Sequence, residues 1–62
     1  MTPSEQKLVL ETQIKERALI IYVIESDMAD NNYKGKYKLA LKDEIYNHKL
    51  AIEEYQEELK KL

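Results

Sequence analysis

The sequence predicts an all-α fold, an antiparallel two-helix hairpin of coiled-coil type that occupies residues 1–62 as one domain. Three observations carry that reading. A capping box opens the chain at Thr2-Pro3-Ser4-Glu5, and the one cluster of helix breakers is Asp30-Asn31-Asn32-Tyr33-Lys34-Gly35. On both sides of that cluster, apolar residues recur at three- and four-residue steps. The expected elements are a helix over about 3–29, a turn over about 30–35 and a helix over about 36–61.

In the first helix, Thr2 is the expected N-cap and Pro3 the first helical residue, with Glu5 reaching back. Leu10, Ile14, Ile21, Ile24 and Met28 then form a heptad seam in which Arg17 fills the missing step. At its middle lies Ala18–Ile24, a run of seven apolar residues closed by Arg17 and Glu25. Its Ile, Tyr and Val favour strands, but a lone strand needs a partner from another chain. The heptad passes through the run in phase, so a helix is expected there.

At the turn, Asn tolerates the left-handed conformation that ends helices, and Gly35 adds a second loose point. The second helix carries a more regular seam: Leu41, Ile45, His48, Ile52, Tyr55, Leu59 and Leu62. Folding about Asn31–Lys34 sets Met28 opposite Tyr37, Ile24 opposite Leu41 and Ile21 opposite Ile45. Arg17 then meets His48, Ile14 meets Ile52 and Leu10 meets Tyr55. One register serves nearly every layer, and each arm is about 40 Å long at ~1.5 Å per residue.

A chain of 62 residues without cysteine has neither disulfides nor thiolate metal sites, and His48 is its only histidine. Small single cores seldom supply more than about 3–5 kcal/mol, so self-association is the expected staple. Charged residues make up 35% and the net charge is −2, which argues against a dedicated nucleic-acid binder. The central apolar run is far short of the ~20 residues that span a bilayer, and the amino terminus has no signal-peptide pattern. A cytoplasmic protein without membrane contact, metal or cofactor is expected.

Both helices have apolar residues to spare: Leu19, Tyr22 and Val23 on the first, Leu39, Tyr46 and Leu50 on the second. All six point away from the seam, and a helix apolar on opposite sides is expected to be sandwiched. They are read as one second stripe that pairs two hairpins into a four-helix homodimer, or else docks another protein.

Three polar groupings remain. Arg17 and His48 meet inside the seam and are expected to be joined by an acid: Glu44, one turn from His48, or Glu16, or an acid from another subunit. Such a layer fixes register; a pH switch or a metal held by Glu44 and His48 is the functional alternative, though their spacing is not Glu-x-x-His. Near the turn, Lys34, Lys36, Tyr37, Lys38 and Lys42, with Tyr33, interleave basic and aromatic residues. That pattern suits single-stranded nucleic acid, unless the lysines pair with Glu25, Asp27 and Asp30. Glu53, Glu54, Glu57 and Glu58 form a solvated face supported by Glu57 with Lys61, or meet the lysine stripe of an antiparallel neighbour.

Nothing in the chain assembles catalytic chemistry. Ser26 has no base at evident spacing, Ser4 belongs to the helix start, and one glycine cannot make a phosphate loop. The stretch Leu50-Ala51-Ile52-Glu53-Glu54-Tyr55 resembles the small helical-hairpin phosphatases of sporulation response regulators, as one amphipathic helix resembles another. Their Ser-Gln-x-Leu-Asp motif is missing from Ile45-Tyr46-Asn47-His48-Lys49, so no activity is carried over. The functional expectation is a non-enzymatic interaction module acting as regulator, adaptor or inhibitor. A nucleic-acid module and a purely self-assembling component are the alternatives.

Overall fold

The computed structural model describes residues 1–62 and consists of two helices, α1 (Pro3–Asp30) and α2 (Gly35–Lys60), packed side by side. There is no strand, so the rival reading of residues 19–24 falls away. The hairpin measures 45 × 16 × 15 Å, which matches the arm length expected from the helical rise.

The start of α1 is a complete capping box. The Glu5 N–H donates to Thr2 Oγ1 at 3.2 Å, and the Thr2 N–H donates to Glu5 Oε1 at 3.3 Å. Two of the amides that a helix start leaves unpaired are satisfied this way, and Pro3 has no N–H to lose. Further on, the Thr12 hydroxyl donates to the Leu8 carbonyl at 2.8 Å, so it does not compete with the helix.

The exit from α1 differs from expectation. Asn31 does not enter the left-handed region; its φ is −124°, and it closes the helix by hydrogen bonding. Its N–H donates to the Asp27 carbonyl at 3.0 Å, while its amide group donates to that carbonyl and to Asp27 Oδ1. The left-handed residue is Gly35, with φ +67°, where the chain turns into α2. Lys34 precedes it without any side-chain cap, and no acid lies in the first turn of α2. The turn end of α2 is therefore its weaker end, because a helix N-terminus favours anionic groups and oxygen caps.

The seam has the expected phase. Leu10 and Ile21 are buried, each 7% exposed. Around them Ile14, Arg17, Ile24 and Met28 of α1 and Leu41, Ile45, His48, Ile52, Tyr55 and Leu59 of α2 are half-buried. Two seam positions depart from it. α2 stops at Lys60, which leaves Leu62 beyond the helix and half exposed. Tyr37, expected opposite Met28, is 56% exposed and packs edge-on against Tyr33, with ring centroids 4.7 Å apart. Two buried side chains make a thin core for a chain of this length.

Candidate functional site

The six residues that point away from the seam are all exposed, from Leu50 at 39% to Tyr22 at 68%. They do not form one stripe. In an antiparallel pair, the side of α1 turned from α2 and the side of α2 turned from α1 look in opposite directions. Leu19, Tyr22 and Val23 therefore lie on one edge of the hairpin, and Leu39, Tyr46 and Leu50 on the other. The sequence reading of one shared patch is corrected to two separate faces.

The α1 face is larger than the spacing of Leu19, Tyr22 and Val23 indicated. Leu8 is 65% exposed and stands three turns before Leu19, in line with it. Val9 and Ile20, also three turns apart, extend the exposed apolar surface along one flank. The signal was present as a repeated pair, Leu8-Val9 and Leu19-Ile20. Leu8 and Val9 stand eleven residues before Leu19 and Ile20, outside the central apolar run, and so are not marked by it.

In the polar layer, the Arg17 guanidinium donates to His48 Nδ1 at 2.9 Å, partly buried. Arginine is always a donor, so Nδ1 accepts and the imidazole is neutral with its proton on Nε2. Glu44 was expected to join the pair; it is exposed, and it forms no hydrogen bond or ion pair. A neutral acceptor ring removes the need for a third, acidic partner. No group of three or more His, Cys, Asp or Glu side chains converges as a metal site.

At the turn, the Tyr33 hydroxyl donates to both Asp27 carboxylate oxygens, at 3.0 and 3.1 Å. The Asp27 hydrogen bond raises the Tyr33 phenol above its ordinary value of 10.0, helped by desolvation and by the nearby charge. Asp27 is thus engaged by Tyr33 and Asn31, and the expected pairing of lysines with Glu25, Asp27 and Asp30 does not occur. Lys34, Lys36, Lys38 and Lys42 are exposed and unpaired beside Tyr37. The one ion pair joins Lys60 to Glu57 at 3.2 Å, in place of Glu57 with Lys61. Both its side chains are well exposed, so it adds little.

A concavity of about 640 Å³ is an open trough over the acidic end of α2, with Leu50 its single apolar residue. A smaller one of about 250 Å³ lies where the helix ends meet, at Pro3, Ser4, Lys7, Leu59 and Leu62. Neither helix is long and apolar enough to cross a membrane. No protein-family model, curated protein or solved structure matches the chain. Its surfaces are what a functional reading has to stand on.

Proposed function

We propose that the chain is a non-enzymatic, cytoplasmic docking hairpin that regulates, adapts or inhibits a larger protein by laying the outward face of α1 against it. The observation that supports this is the row of exposed apolar side chains along that helix: Leu8, Leu19, Tyr22 and Val23. An amphipathic helix seated in a groove uses anchors spaced in this way along one face. Each large side chain contributes ~1.5–3 kcal/mol on full burial, so a partner that covers several of them gains substantially.

The test is capture from the native host by wild type and by Leu19→Glu, followed by titration of the purified partner into labelled hairpin. The expected outcome is loss of capture in the variant and amide shifts centred on residues 8 and 19–23. Shifts confined to α2 or to the turn argue against the α1 face.

The unpaired lysines at the turn favour a second reading, a contact with nucleic-acid phosphates in which Tyr37 stacks on a base. Binding of a single-stranded oligonucleotide that weakens steeply with salt and disappears when Lys34, Lys36 and Lys38 are neutralised is its signature.

A further inference from the structure

We infer that the outward face of α2 is covered by a second copy of this chain, packed antiparallel through α2 alone. The inference is independent of the docking role of α1, which lies on the opposite edge.

The face has its own heptad. Lys36, Leu39, Asp43, Tyr46, Leu50 and Glu53 follow one another at alternating three- and four-residue steps, and every one of them is exposed. This second seam is out of phase with the one that meets α1, so α2 has two sides built to pack.

The second seam is complementary to itself when reversed. With a two-fold axis between residues 44 and 45, three layers form and each occurs twice. Lys36 of one copy meets Glu53 of the other, Leu39 meets Leu50, and Asp43 meets the Tyr46 hydroxyl. A cation faces an anion, an aliphatic side chain faces an aliphatic one, and a carboxylate faces a hydroxyl donor. An isologous interface requires this of a surface that must match its own copy. Lys42 and Lys49 flank the aliphatic layer and approach their counterparts across the axis. Their stems cover apolar surface while their ammonium groups extend into water.

The exposed area leaves room for such an interface. A monomeric protein of 7.4 kDa is expected to expose about 4,200 Å², whereas the hairpin exposes 5037 Å². A rod of 45 × 16 × 15 Å exposes more than a compact body of the same mass, and this leaves surface for an interface that covers about 800 Å² per partner. A parallel pairing does worse, because it sets Lys36 beside Lys36 and Glu53 beside Glu53.

The experiment is light scattering after gel filtration on the full chain and on Lys36→Glu and Glu53→Lys, alone and mixed. In the antiparallel dimer each single variant places like charges together twice and raises the dissociation constant at least about tenfold. In an equimolar mixture both contacts again join opposite charges, so dimer mass returns. Circular dichroism on the variants checks that helicity is kept, which is expected because both positions are exposed. Wild type at dimer mass, single variants near monomer mass and a rescued mixture support the inference. A wild-type monomer at high micromolar concentration overturns it, and so does a dimer whose mass ignores both substitutions. A mixture that stays monomeric rejects the register.

Discussion

The Arg17 guanidinium and His48 Nδ1 meet at 2.9 Å across the seam, one from each helix, and neither forms an ion pair with a carboxylate. This contact is the side-chain hydrogen bond that ties α1 to α2, and it lies at the layer where a heptad position is polar on both helices. Because the imidazole accepts, each partner leaves the other unsatisfied if removed alone.

Arg17→Leu and His48→Leu are therefore expected to destabilise singly by about 1–2 kcal/mol, since each strands a partly buried polar group. The double variant should recover that loss or exceed wild-type stability, as packed apolar replacements of buried polar pairs often do. Urea denaturation of the four proteins measures the coupling. Additive losses in the double variant would show that the two side chains do not act as a pair.

Truncation at the centre of the seam separates core from surface. Ile21→Ala should lose about 2–4 kcal/mol, because Ile21 is one of only two buried side chains. Leu19→Ala, two positions away and 63% exposed, should change unfolding of the isolated hairpin by less than about 0.5 kcal/mol. Thermal melts decide it, and equal losses would contradict the phase of the seam.

Gly35 is the one residue with positive φ, and a Cβ built on it meets nothing within 4 Å. Its replacement is thus purely a conformational question. Gly35→Ala is expected to cost about 1–2 kcal/mol, and Gly35→Asn less, because Asn enters the left-handed region more readily. If Ala and Asn give the same midpoint, backbone conformation at the turn is not what the glycine supplies.

Tyr33 links stability to alkaline pH. Its phenol is raised in the folded state, chiefly by the hydrogen bond to Asp27. Stability from this source is fully present below the ordinary phenol value of 10.0 and is lost as pH rises through the higher folded value. Tyr33→Phe should melt lower than wild type at neutral pH, and the gap should close in alkali. The other four tyrosines are common to both proteins, so the difference isolates this one. A gap that is unchanged at high pH would show that the hydroxyl contributes nothing.

The helices, their ends to within about a residue, the buried phase of the seam and the Arg17–His48 layer were legible because heptad phase and the Thr2–Glu5 box are local signals. Side-chain choices at the turn were not. Asn31 can end a helix by entering the left-handed region or by capping, and residue type does not choose between them. Asp27 faced several candidate lysines, but Tyr33 and Asn31 lie nearer along the chain and engage it. Glu44 is required only if His48 is a second cation; as an acceptor His48 pairs with Arg17 directly. The outward residues merged into one stripe because phase on each helix was read without the opposed directions that antiparallel packing imposes.

Both buried side chains, Leu10 and Ile21, belong to α1, and α2 has none. So thin a core offers little protection against local opening, and an open form is what a protease cleaves. A partner that covered an outward face would shift that balance by mass action, each tenfold rise at saturation adding about 1.4 kcal/mol. Proteolysis is then expected to be slower for a chain held by a partner than for the free chain.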